Sequence, residues 1–171
     1  QYPIVEVLAG IIAIVLFLQF KTDPIVFLLY FIVCQSFLLL ALYDAKYLIL
    51  PDKILLFVFL VFVFFETVFF FERSVSSYVL FQRIFSAIIV SLFLGAIWFF
   101  TKGKGMGLGD VKMGFLIGIM FGLTGSLIII YSASVLGTIY GLLLIAKKKA
   151  DLKTKLPFGT FLCLTSIFYV I

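Results

Sequence analysis

Seven stretches of this chain are continuously apolar: residues 4–20, 24–43, 54–71, 79–100, 111–122, 124–146 and 157–171. A helix needs roughly 20 apolar residues to cross the hydrocarbon layer of a bilayer. The runs are unbroken rather than alternating, which selects helices over a barrel. The expected architecture is therefore all-α, a polytopic membrane helix bundle of about seven transmembrane helices. The fifth and seventh runs are short, so those helices are expected to be tilted or half-buried. The boundary between the fifth and sixth falls at Gly122-Leu-Thr-Gly125.

Composition agrees with a lipid environment. Of 171 residues, 65% are hydrophobic and 12% charged, against about 25% charged in an average soluble domain. A small soluble fold leaves too much surface exposed to hide such a chain from water. Every connection between runs is brief, so residues 1–171 read as a single transmembrane domain. The chain starts at Gln1 rather than Met and is read as a fragment or a processed product. Its start has no basic n-region, and the run that follows is too long for the apolar h-region of a signal peptide.

The chain has no histidine, and its two cysteines, Cys34 and Cys163, stand alone in apolar runs. No metal-ligand spacing exists, so no metal site is expected. The net charge of +5 sits at the flanks of spans and comes with no nucleic-acid motif, so no nucleic-acid partner is expected.

Seven spans assign the loops to alternate faces. One face receives Lys46, Lys53, Lys102, Lys104, Lys112, Lys147, Lys148, Lys149, Lys153 and Lys155; the other receives Lys21, Arg73 and Arg83. Cytoplasmic loops carry the excess of Lys and Arg, so the lysine-rich face is expected to be cytoplasmic. Merging the fifth and sixth spans would put the last five lysines on the wrong side. The Asp44–Asp52 loop and the Gly-rich Thr101–Asp110 loop then share one face and can meet in space.

Ionisable residues near lipid are costly and rare without a function. Asp44 follows the second run directly, at a helix C-terminus, the unfavourable end for a negative charge. An ordinary interfacial charge paired with Lys46 is the alternative. Asp110 opens the fifth run, where an N-cap role competes with chemistry or coexists with it. Before it, Gly103, Gly105, Gly107 and Gly109 alternate, allowing backbone angles closed to other residues and close approach of another chain. A phosphate cradle is disfavoured because neither Gly-rich phosphate motif nor its strand–helix context is present. Gly114, Gly118 and Gly122, and then Gly137 and Gly141, recur every four residues, a spacing that lets membrane helices pack closely. Two facing aspartates suffice for hydrolysis: like charges so close share a proton. One carboxylate activates water while the other protonates or hydrogen-bonds the scissile carbonyl.

Gly107-Leu-Gly-Asp110 resembles the G-x-G-D signature of membrane aspartic proteases. These include type IV prepilin peptidases, archaeal preflagellin peptidases and presenilin-like enzymes. Gly107-Leu-Gly-Asp-Val-Lys112 looks like the prepilin-peptidase form. Asp44-Ala-Lys-Tyr-Leu-Ile-Leu-Pro-Asp52 is similar to that family's first aspartate segment, and Tyr2-Pro-Ile-Val-Glu6 to the start of its peptidase core. Leu156-Pro-Phe-Gly159 matches its late motif, with Thr160 where Pro is usual. The four matches come in family order and span nearly the whole chain.

The resemblance implies Asp44 and Asp110 as the catalytic pair and Gly107 and Gly109 as shapers of the loop. It makes Glu6, Asp52, Lys112, Pro157 and Gly159 supporting positions. Lys112 would hold a substrate carboxylate, tune Asp110, or serve only as an interfacial charge. The implied reaction removes the leader of prepilins or pseudopilins at the cytoplasmic face of the bacterial inner membrane, in pilus assembly or protein secretion, without a cofactor. The substrate's own apolar helix would lie laterally against the enzyme. Bifunctional members also carry an upstream cysteine-rich segment and methylate the product with S-adenosylmethionine. That segment is not in this sequence, and methylation is expected only in a longer parent. The rivals are another G-x-G-D protease (preflagellin or signal-peptide-peptidase-like) and a small ion-coupled transporter. A transporter should place its carboxylates near mid-membrane rather than at span ends. The residues are silent on oligomeric state.

Overall fold

The computed structural model describes residues 2–73, 77–103, 105–147 and 156–171. Six helices follow one another: α1 Tyr2–Phe20, α2 Pro24–Tyr47, α3 Asp52–Arg73, α4 Ser77–Phe100, α5 Leu108–Ala146 and α6 Phe158–Val170. No strand occurs among the described residues. Pro24 opens α2, where its fixed φ suits the first helical position and its missing N–H costs nothing. Leu48 closes α2 in the left-handed conformation (φ 56°), with its N–H on the Asp44 carbonyl at 2.8 Å. At the end of α4, Lys102 (φ 50°) and Gly103 (φ 70°) turn the chain, and the Gly103 N–H bonds the Trp98 carbonyl.

Five of the helices are long and apolar enough to cross a membrane, and the protein is a membrane protein. Large apolar side chains point outward all around the bundle. Phe17, Phe64, Phe93 and Tyr131 are each more than half exposed, which only an apolar solvent tolerates at this density. Hydroxyls within the helices bond back to the carbonyl four residues earlier, as Ser36 does to Ile32, Ser134 to Ile130 and Ser166 to Leu162. No buried polar side-chain atom described in the structure lacks a partner, as lipid requires.

Seven spans are expected and six helices are seen, because the fifth and sixth apolar runs are joined in α5. Its 39 residues are broken at Gly122, whose φ of 67° and ψ of −176° are not helical. The first limb (108–121) packs on α4: Val111 lies by Gly95, Gly114 by Val90 and Leu94, and Gly118 by Ala87. The second limb (123–146) packs on α6 in the opposite sense, with Gly125 by Tyr169, Ile129 by Thr165, Gly137 by Phe161 and Gly141 by Leu156. The chain therefore reverses at Gly122, inside the expected boundary. The first limb and α6, which has 13 residues, fall short of the roughly 20 needed to span.

Gly122 corrects the expected four-residue repeat. Gly114 and Gly118 do lie at the α4 contact, but a Cβ on Gly122 would meet nothing within 4 Å. Its glycine is needed for the reversal, not for packing. Gly118 meets backbone at the α4 contact, since its Cβ would sit 2.5 Å from the Ala87 Cα, whereas Gly114 at the same distance meets only the end of the Leu94 side chain. Backbone cannot swing aside as a side chain can, so Gly118→Ala should force α4 and α5 apart and cost about 1–3 kcal/mol. Gly10, with open space around its Cα, should accept Ala with no loss. Thermal unfolding of both variants in detergent checks the contrast.

Candidate active site

The helices alternate direction, counting the two limbs of α5 separately, so the α2–α3 connection, the end of α4, the start of α5 and the start of α6 gather at one end of the bundle. Asp44 lies in the last turn of α2, inside the helix rather than just beyond it. Asp110 lies in the first turn of α5. Both are buried, at 5% and 7% exposure, in a chain where buried carboxylates are otherwise absent among the described residues.

Asp110 is not the N-cap. Gly107 takes that place in an extended conformation (φ −81°, ψ 156°), and Asp110 stands three residues on. The Gly107 N–H donates to Asp110 Oδ2 at 3.0 Å, and the Asp110 N–H donates back to the Gly107 carbonyl at 3.2 Å. This reciprocal cap fixes the carboxyl rotamer through one oxygen, and among the described residues no protein donor reaches Oδ1. The expected N-cap role thus falls to Gly107, and Asp110 caps the helix from its third position.

Asp44 is held from a different element. The Thr160 N–H donates to Asp44 Oδ2 at 2.7 Å, and the Thr160 hydroxyl lies 3.1 Å from the same oxygen. Thr160 belongs to the first turn of α6, whose amides have no partner within the helix. The turn that begins at Pro157, the N-cap of α6, thus aims a backbone donor at a carboxylate 116 residues away in sequence.

Gly159 lies between the two acids. A Cβ there would be 3.0 Å from Asp44 Oδ2, 3.1 Å from Asp110 Oδ1 and 2.9 Å from Leu50 Cδ1. The two carboxylate oxygens are therefore no farther apart than the sum of the first two distances, about 6 Å. One water making two hydrogen bonds of about 3 Å bridges such a gap. Leu50 also closes on Gly109, whose Cβ would be 3.0 Å from the Leu50 Cβ. Of the alternating glycines described, Gly109 serves close approach, to Leu50, and only Gly103 uses a positive φ.

The remaining expected positions fall farther out. Lys112 does not reach Asp110; its Nζ pairs with Asp52 Oδ1 at 2.7 Å, with both side chains more than half exposed. That pair joins α3 to α5 at the mouth of a groove of about 390 Å³ lined by Leu55, Leu56, Phe59, Phe115 and Leu116. Glu6 is exposed on α1, and no hydrogen bond or ion pair joins it to either aspartate among the described residues. Lys104 and the lysines at 148, 149, 153 and 155 lie outside the described residues. Elsewhere Glu66 of α3 pairs with Arg83 of α4, and Arg83 also stacks over Phe62.

The sequence reading missed Thr160 and Leu50. The Pro-Phe-Gly match marked the α6 turn but not which amide it presents, and Leu50, inside the Asp44–Asp52 segment, was given no role of its own. A family model described as the type IV leader peptidase family matches residues 31–142, a stretch that holds both aspartates and lies between Glu6 and Pro157. No curated protein and no solved structure gives a significant match.

Proposed function

Because the chain belongs to the type IV leader peptidase family, and is thus a peptidase, we propose that it is an aspartic endopeptidase using Asp44 and Asp110. On this reading one carboxylate takes a proton from water as the water attacks, and the other protonates the carbonyl oxygen of the scissile bond. The observation that carries the reading is the pair itself. Two buried acids from helices far apart in sequence face one glycine, their nearest oxygens no more than about 6 Å apart. Burial excludes bulk water, which strengthens each electrostatic contact made there.

The substrates we propose are prepilins and pseudopilins, cut at the cytoplasmic face of the inner membrane. Lys46, Lys53, Lys102, Lys112 and Lys147 lie toward the Asp44 end of the bundle and Lys21 and Arg83 toward the other, the bias expected of a cytoplasmic end. The apolar groove between α3 and α5, rimmed by Asp52 and Lys112, is where a substrate's apolar helix would lie with its polar junction at the Asp52–Lys112 pair. Proteolysis on this scheme needs no cofactor, and methylation by S-adenosylmethionine is proposed only for a longer parent.

Purified protein in lipid vesicles should cut a prepilin at its leader junction and leave a substrate of mid-membrane proteases intact, with no methyl group added when S-adenosylmethionine is supplied. Cleavage of the mid-membrane substrate alone would assign the protein to another G-x-G-D protease group.

A further inference from the structure

Thr160 makes contacts with Asp44 that a packing residue has no need of. Its N–H lies 2.7 Å from Asp44 Oδ2, and its hydroxyl lies 3.1 Å from that oxygen and 3.1 Å from the Ala41 carbonyl. A hydroxyl has one proton to give and can also accept. It therefore serves two states of Asp44. Toward an ionised carboxylate it donates to Oδ2. Toward a protonated one it turns its proton to the Ala41 carbonyl and accepts from the acid. Asp110 has nothing comparable: one backbone donor fixes its Oδ2, and no protein donor reaches its Oδ1 among the described residues.

From this asymmetry we propose that Thr160 is a positioning residue that makes Asp44 the carboxylate accepting the proton from water, while Asp110 carries the proton the pair shares. The inference rests on the aspartic-peptidase reading above. In the attack, water loses one proton to Asp44 as its oxygen bonds the carbonyl carbon, and the Asp110 proton passes to the carbonyl oxygen. In the collapse, Asp44 gives its proton to the leaving nitrogen as the C–N bond breaks, and a hydroxyl of the tetrahedral intermediate returns a proton to Asp110. Asp44 thus gains and loses a proton within one turnover, and the Thr160 hydroxyl reverses its bonding with each change. A proline at this position, the residue usual in the resembling motif, would offer neither donor, so the device belongs to this chain.

The test compares Thr160→Val with Thr160→Ser in leader cleavage of a prepilin. Valine keeps the backbone N–H and the shape but removes the hydroxyl. With one hydrogen bond to a charged group lost, kcat should fall about ten- to hundredfold. KM and the thermal midpoint should stay near those of the parent, because Thr160 need not touch substrate. Serine restores the hydroxyl and should return kcat to within about threefold. A Thr160→Val variant at full kcat, beside an inactive Asp44→Asn, would overturn the positioning role and leave the peptidase reading intact. Equal losses in the valine and serine variants, together with lowered thermal midpoints, would also overturn it, since packing alone would then explain them. Full activity in Asp44→Asn would instead remove the reading on which the inference rests.

Discussion

Asp44→Asn and Asp110→Asn each lower prepilin cleavage by about a thousandfold or more, and the double variant is no worse than either alone. General acid–base assistance by a positioned group contributes about 10²- to 10⁴-fold. Two groups that act on one water behave as a unit, so removing the second costs little once the first is gone. An amide keeps the shape and the hydrogen bond from Thr160 or Gly107 but cannot take or carry the proton. The folded protein should therefore persist, with membrane insertion and thermal midpoint near the parent values. Asp52→Asn is the matched control. Asp52 is 69% exposed and pairs with Lys112 at the rim. An exposed pair is worth up to about 1 kcal/mol, so activity should stay within about fivefold. If Asp52→Asn were the inactive variant and Asp44→Asn the active one, the first acid would have to be reassigned.

Gly159→Ala is expected to cost about a hundredfold or more in cleavage while leaving the fold intact. The added methyl would occupy the point 3.0 Å from Asp44 Oδ2 and 3.1 Å from Asp110 Oδ1. That is the space a bridging water and the scissile bond need. The third neighbour is the Leu50 Cδ1 at 2.9 Å, the far end of a flexible side chain that can rotate away. Stability should therefore suffer little, while displacement of reacting groups by about 1 Å costs on the order of 10²-fold. Gly159→Val should be worse still. Cleavage rates and thermal midpoints measured side by side separate the two effects. Parent-like cleavage by Gly159→Ala would place the reacting peptide somewhere other than between the two acids.

The helical framework and both buried acids were legible in the sequence because each leaves a local mark. Continuous apolar runs declare helices in lipid, and the Gly-Leu-Gly-Asp110 string declares a helix start with a carboxylate inside it. The reversal at Gly122 was legible for the same reason: charge bias demanded a break there, and glycine permitted it. What escaped was set by packing between distant segments. Asp110 shifts from cap to third position because Gly107, not the acid, takes the extended backbone conformation. Lys112 turns to Asp52 because the α3 start lies beside it in space, a neighbour that sequence distance conceals. Gly122 matches the spacing of Gly114 and Gly118, yet its backbone leaves the helix, so periodicity misassigned its role. Thr160 reaches Asp44 only because α6 begins against the end of α2, and no local pattern encodes that meeting.

The convergence of Asp44 and Asp110 at one end of the bundle can be measured without reference to activity. With Cys34 and Cys163 replaced by alanine, the Asp44→Cys, Asp110→Cys double variant is treated in membranes with a short bis-methanethiosulfonate reagent and analysed by peptide mass spectrometry. The peptides that held residues 44 and 110 should be joined in high yield, while an Asp23→Cys, Asp110→Cys pair, at opposite ends, should stay unlinked. Linkage through residue 23 but never through residue 44 would put the two acids on opposite sides of the membrane and contradict the account.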